Sequence, residues 1–349
     1  MYEGLKLAVV VPCYEVKKQI LNVIAAVPDE VDLIICVDDC CPENSGSLVA
    51  EKYAGSARVR VINNSENLGV GGAVKAGYLA AREAGCDIAI KIDGDGQMDP
   101  ALIPAFVHPI ARGLCDYTKG NRFFRIEDVR KMPGIRLFGN AILSFLAKLS
   151  TGYWNIFDPN NGYTAIHLRI LDLISLRKVA DQYFFECDLL FRLNVARCTV
   201  RDIPMVASYG EEKSNLKIWR ILFPFAFGHF RNFFKRIFYS YFLRDFQVAS
   251  LQILLAPPLL IAGMLFGGYH WWLSITTGVP ATAGTVMLAA LLALSGLQLM
   301  LAALAYDLAS VPRDAIHTVL PSRPEANRQG ASDEVSASSD ADIGRPDRN

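Results

Sequence analysis

The sequence predicts an α/β fold, a mostly parallel sheet with helices on both faces, followed by interfacial helices and a two-helix transmembrane hairpin. Three observations carry this. Short β-branched runs alternate with helical stretches through the first two hundred residues. A basic, aromatic-rich segment follows them. Beyond it, between Asp245 and Asp307, the only side chain of the Asp, Glu, Lys, Arg and His classes is His270. A soluble chain would carry about fifteen charges over that distance.

The first strand is "KLAVVVP", residues 6–12, closed by Pro12; its apolar run is too short for the core of a signal peptide. A helix is expected over 17–27. "VDLIICVDD", 31–39, is the second strand, with a helix over 45–54 behind it. "ARVRVINN", 57–64, alternates as a third, and a helix over 71–84 leads to "CDIAIKIDGD", 86–95. In sheets of this kind ligands bind beyond the carboxyl ends of the strands. Those ends are Pro12-Cys13-Tyr14-Glu15, Asp38-Asp39 and Asp93-Gly94-Asp95. One acidic turn reads as a solvated surface loop, but acidic tips on neighbouring strands of one sheet read as a site.

Asp93, Asp95 and Asp99 lie within seven positions, and carboxylates so crowded repel one another and resist desolvation. A divalent cation relieves that repulsion. Asp93 and Asp95, two apart across a glycine turn, can offer a carboxylate pair to Mg²⁺ or Mn²⁺, and Gln97 a further carbonyl oxygen. "NLGVGGAVKAGY", 67–78, has the wrong glycine spacing for a dinucleotide fingerprint and no following Lys-Ser/Thr for a P-loop. It reads as a tight turn entering a packed helix. The eight cysteines show no C-x-x-C spacing and indicate neither a zinc site nor a disulfide framework.

Residues 213–244 hold seven Lys or Arg, eight Phe and no acid, a composition suited to a lipid headgroup layer. The net charge of zero gives no general footprint for nucleic acid. Two apolar runs, 248–269 and 281–306, each reach the length of a membrane span. Pro257 and Pro258 should kink the first, and Trp271 and Trp272 suit an aromatic belt. The loop between the spans lacks Lys and Arg while the region before them is basic, so the positive-inside rule keeps the N-terminal domain and both termini in the cytoplasm. The expected division is a domain over 1–212, interfacial helices over 213–245, a hairpin over 246–310 and a disordered tail over 311–349.

Taken in order, "VVPCYE", "VDD", "NLGVGGAVKAGY" and "DGDGQMDP" resemble glycosyltransferase family 2, and within it the polyprenyl-phosphate glycosyltransferases, over about residues 5–216. The resemblance implies a GT-A nucleotide-binding sandwich. It would place Pro12, Tyr14, Glu15 and Asp39 around the nucleoside, and Asp93, Asp95 and Gln97 around metal and diphosphate. In "KGNRFF", Arg122 would contact phosphate; in "IFDPNNGYTAI", Asp158, Gly162 and Tyr163 match an acceptor-side motif. The family's Ser-Lys-Leu phosphate motif is Ser214-Asn215-Leu216 here, a departure that leaves Lys213 or Lys217 to reach the same phosphates. Arg136 is placed with the acceptor phosphate or with lipid headgroups, and Glu186 with either the site or a helix-capping salt bridge. The implied activity is inverting transfer of one sugar from a UDP- or GDP-sugar to polyprenyl phosphate at the cytoplasmic membrane face. A hydroxyl acceptor and a catalytically silent membrane scaffold are the alternatives, and homo-oligomerisation is left open.

Overall fold

A computed structural model describes residues 1–124, 134–205 and 218–321. Met1–His317 form one unit and Thr318–Asn349 a second. Seven strands make one mixed sheet: β1 (Leu7–Cys13), β2 (Leu33–Asp38), β3 (Val59–Asn63), β4 (Ile88–Lys91), β5 (Tyr117–Asn121), β6 (Thr164–His167) and β7 (Val200–Pro204), in the order β3-β2-β1-β4-β6-β5-β7. All pairings are parallel except those of β6, which runs antiparallel between β4 and β5.

The alternation of side chains along β1 builds two cores. Ala8 and Val10 face α3 (Gly69–Glu83) and α6 (Phe185–Val195), packing with Ala73, Val74, Tyr78 and Leu189. Leu7, Val9 and Val11 face α1 (Ile20–Ala25) and α4 (Ile103–Ala111), packing with Ile20, Val23, Phe106 and Ile110. Each fully buried aliphatic side chain contributes about 1.5–3 kcal/mol, so both faces of the central strands are committed to the interior. A short helix α2 (Ser45–Lys52) follows β2, and α5 (Gly134–Thr151) follows β5.

The glycines of 69–77 enter a packed helix, as expected. Gly71 and Gly72 donate their N–H groups to the Asp181 carbonyl at 2.7 and 3.1 Å, and a Cβ at Gly77 would collide with Val10. All eight cysteines are free.

Helix α7 (Ile218–Phe238) is amphipathic with its polar side inward. His229, Asn232 and Arg236 are buried against the domain, whereas Phe223, Phe227, Phe230, Phe234 and Phe238 are all more than half exposed. A π-helical turn, Tyr239–Leu243, leads into α8 (Val248–Thr277) and α9 (Ala283–Ala309), two antiparallel helices long and apolar enough to cross a membrane. Both outrun the apolar runs seen in the sequence. Small residues let them approach closely: a Cβ on Gly263 would stand 2.5 Å from the Ala293 nitrogen, and one on Gly296 2.6 Å from the Leu260 nitrogen.

Disorder was expected from 311 onward, but the first residues past the hairpin dock on the domain. Asp116, at the entrance to β5, accepts hydrogen bonds from the N–H groups of Ile316 and His317 (3.0 and 2.8 Å) and lies 2.7 Å from His317 Nδ1. The His317 ring stacks on His167 at 4.2 Å. A buried carboxylate in need of donors holds these residues, something composition does not report. Residues 322–349 lie outside the described part.

Candidate active site

The carboxyl ends of β1, β2, β4 and β5, together with the segment entering β6, meet along one edge of the sheet. Pro12 sits in the last residues of β1 there, paired with Val37, and Tyr14 and Glu15 follow the strand. Tyr14 is exposed, and Glu15 adopts a left-handed φ of 55° with its N–H on Cys41 Sγ at 3.1 Å. Asp38 and Asp39 end β2 and point back into the fold. Asp38 accepts from the N–H groups of Cys41 and Gly46 at 2.8 and 2.7 Å. Asp39, expected to line the nucleoside pocket, is 3% exposed and accepts from Asn64 Nδ2, Leu68 N and Gly69 N at 2.7, 3.0 and 2.7 Å. The unsatisfied N–H groups at the start of α3 capture its carboxylate, so it shapes the loop beside the β1 and β2 tips.

Beyond β4, Asp95 Oδ1 accepts from Gln97 N at 2.9 Å across Gly96, whose φ is 77°. Asp93 Oδ1 lies 2.8 Å from Lys91 Nζ, which is also 3.5 Å from Glu186 Oε1. Burial alone would lower the pKa of Lys91, but the carboxylates of Asp93 and Glu186 outweigh it and hold the amine charged. Glu186, read either as a site residue or as a helix-capping salt bridge, forms an ion pair with a lysine inside the sheet that also holds Asp93, so the pairing itself lies at the candidate site. A Cβ at Gly162 would collide with Lys91 Nζ and Asp93 Oδ2, which is why the entrance to β6 needs glycine there.

Arg122 and Asp158 come together. Arg122 Nε donates to Asp158 Oδ2 at 2.7 Å and Nη2 to Oδ1 at 3.1 Å, a bidentate pair in which the carboxylate is buried and the guanidinium about one-third exposed. Beneath it Lys119 Nζ donates to the Asn161 carbonyl at 2.5 Å, and Asn161 Nδ2 to Asp158 Oδ2 at 3.3 Å. Burial pushes the Lys119 pKa down, against the pull of Glu186 and Asp158. Tyr163 is a core residue, stacked on Phe106 at 4.0 Å with its hydroxyl on the Asp99 carbonyl. Sequence reasoning missed Lys91 and Lys119. The available signal was a single lysine in each strand, in "IAIKID" and "DYTKGN".

Arg136 lies on α5, with only its backbone described; Lys213, Ser214 and Lys217 lie outside the described residues. Among the described residues no three His, Cys, Asp or Glu side chains gather around one point. A protein cage for a metal is therefore absent from them. One or two carboxylates beside an open strand end instead suit a hard cation that takes its other oxygens from phosphate and water. Asp93 and Asp95 fit Mg²⁺ or Mn²⁺ on those terms.

The comparison of sequences points to a class for this mixed α/β sheet with carboxylates at its strand ends: residues 8–174 match glycosyl transferase family 2. Among its relatives, the UDP-N-acetylglucosamine–dolichyl-phosphate N-acetylglucosaminyltransferase of Methanococcus voltae is 29% identical over 215 residues, 58% of this chain and 85% of that protein. The undecaprenyl-phosphate mannosyltransferase of Micrococcus luteus is 27% identical over 189 residues, 54% of this chain and 75% of that one. A solved structure of glucosyl-3-phosphoglycerate synthase from Mycobacterium tuberculosis with UDP overlays with a TM-score of 0.48 at 18% identity, over 67% of this chain and 80% of the other.

Proposed function

We propose that the protein transfers one sugar from a nucleotide sugar to a polyprenyl phosphate at the cytoplasmic face of a membrane, anchored by α8 and α9. The observation that carries this reading is the Arg122–Asp158 pair. A sugar or lipid hydroxyl must lose a proton as it attacks, which calls for a positioned base. Both oxygens of Asp158 already accept hydrogen bonds from Arg122 and Asn161, so this carboxylate holds a cation in place. A phosphate monoester is an anion at neutral pH and attacks without deprotonation; what it needs is a fixed guanidinium to steer it, and Arg122 supplies one. The two relatives named for lipid-phosphate acceptors support the same chemistry.

Tyr14 and Glu15 would meet the nucleoside. Asp93, Asp95 and Gln97 would hold Mg²⁺ or Mn²⁺, which supplies charge neutralisation for the departing diphosphate. Arg136, with Lys213 or Lys217 and Ser214, would add cationic contacts to acceptor phosphate at the headgroup layer. Displacement in one step inverts the anomeric centre, so an α-linked donor gives a β-linked glycosyl phosphodiester.

The test is product lability. Full-length protein in membranes is incubated with radiolabelled sugar nucleotides and undecaprenyl phosphate, and the lipid product is treated with mild acid. A glycosyl phosphodiester releases its sugar. A lipid product stable to that treatment would refute the phosphate acceptor and favour transfer to a hydroxyl.

A further inference from the structure

Where the two apolar helices meet the domain, a cavity of about 150 Å³ opens between the C-terminal end of α6, the turn after α7 and the adjoining ends of α8 and α9. Three arginines line it, Arg197, Arg236 and Arg244, against two carboxylates, Asp245 and Asp307. Arg236 and Asp307 neutralise each other through contacts of 2.6 and 3.0 Å. Arg197 Nη1 donates to the Ser310 carbonyl at 2.7 Å, and Arg244 Nη2 to the Val195 carbonyl. Among the described residues neither has a carboxylate within salt-bridge distance. Burial and the neighbouring Arg197 charge lower the pKa of Arg244. Arg236 is 2% exposed, and its Nε has no hydrogen-bond partner among the described residues. Arg197 also sits at a left-handed φ of 63°, the position just past a helix end that glycine or asparagine usually fills. The fold retains a strained arginine there, and its guanidinium lines the cavity.

The cavity does not end at the arginines. A second hollow, lined by Phe246, Val248, Leu251 and Ala302, shares Gln247 and Tyr306 with it and runs onto the apolar helices. A cationic pocket thus opens into an apolar groove at the membrane-proximal end of the hairpin. We propose that this pair of hollows binds an anionic glycerophospholipid, its phosphate between Arg197 and Arg244 and an acyl chain along Phe246, Leu251 and Ala302. The inference rests on the hairpin lying in a bilayer and not on the acceptor chemistry proposed above. The site is separate from the transferase centre: Glu186, beside Lys91, and Asn194, on the cavity wall, stand eight residues apart on α6, or about 12 Å. The role assigned to the bound lipid is structural: it holds hairpin to domain.

The experiment uses full-length protein in a neutral detergent, measuring thermal unfolding and bound lipid by native mass spectrometry. Phosphatidylglycerol, phosphatidylcholine, undecaprenyl phosphate and inorganic phosphate are added in turn. Phosphatidylglycerol should be retained and should raise the unfolding temperature more than the other three. R197Q/R244Q should weaken its binding about tenfold or more, since each arginine facing an anionic headgroup contributes about a factor of five. R197K/R244K keeps the charge and should restore much of the binding, which separates lost binding from lost folding. A302W fills the groove, leaves the arginines intact, and should also release the lipid. Equal effects of phosphatidylglycerol and phosphatidylcholine would overturn the proposal. So would retention undiminished in R197Q/R244Q, an equal response to inorganic phosphate alone, or preferential uptake of undecaprenyl phosphate.

Discussion

Lys91 has 2% of its side chain exposed and sits between Asp93 and Glu186, which makes it the cation that lets two acids approach the strand end. Its loss leaves both carboxylates facing each other beside the proposed metal position, and removing one member of a buried ion pair costs about 3–5 kcal/mol. Lys91→Met should lower turnover by about tenfold or more, through misplaced carboxylates, and lower the Mg²⁺ concentration needed for half-maximal rate, because the cation that competes for Asp93 is gone. Steady-state assays over a metal titration check this; a variant with wild-type turnover and metal dependence would reduce Lys91 to a folding element. The acidic tips were readable from sequence because they interrupt apolar runs. Lys91 was not, because a lysine in a strand ordinarily marks a solvated face. Only the neighbours of β4 show that both faces are covered, and Glu186 reaches it from a distant helix.

At the scale of elements, α7 shows how much a composition hides. The sequence indicated a basic, aromatic segment for a headgroup layer, and five of the seven phenylalanines of α7 face outward. Its cations are divided, however: Arg236 is buried on Asp307 and Arg231 lies 3.6 Å from Asp188. Their partners sit on α6 and α9, so no local pattern could reveal them. On the outward face, Phe227 and Phe230 are both more than 60% exposed. Burying these rings in a lipid interface is favourable, and the apolar helices still hold the protein at the bilayer when the rings are lost, so the effect is confined to local seating. Phe227→Ser with Phe230→Ser should therefore raise the KM for lipid acceptor severalfold while hydrolysis of the nucleotide sugar in water stays within about twofold of wild type. Kinetics in liposomes measure both, and an unchanged acceptor KM would show that this face never meets lipid. The alternation of strands and helices was legible because it depends on local periodicity. The antiparallel insertion of β6 was not, since four residues, Thr164–His167, carry no pattern of their own.

The response of the whole molecule to acid follows from three buried groups. Burial holds His167 down to about 3 and His229 down to about 4, both neutral in the folded protein. Unfolding restores an ordinary histidine, so the unfolded chain binds more protons below about pH 6.5 and stability falls as pH drops from there toward 3–4. Asp202 works in the opposite sense. Burial raises it to about 6, and its Oδ1 has no partner among the described residues. Between about pH 6 and 4 it takes a proton in the folded state first, which adds stability as pH falls and offsets part of the histidine loss. Two groups outweigh one, so unfolding temperature should decline below about pH 6. Asp202→Asn removes the offset and should make the decline steeper between pH 6 and 4. Thermal unfolding of the detergent-solubilised protein at several pH values measures the slopes; a shallower decline in the variant would contradict the assignment.

The contact of Asp116 with Ile316 and His317 sets an order of events during synthesis. The acceptor is in the first third of the chain, and its donors follow both apolar helices. When the ribosome has made the last strand of the sheet, Asp116 still lacks these donors. They arrive only after both apolar helices have been translated, so the sheet region completes this contact after the hairpin that separates the two in sequence has been made.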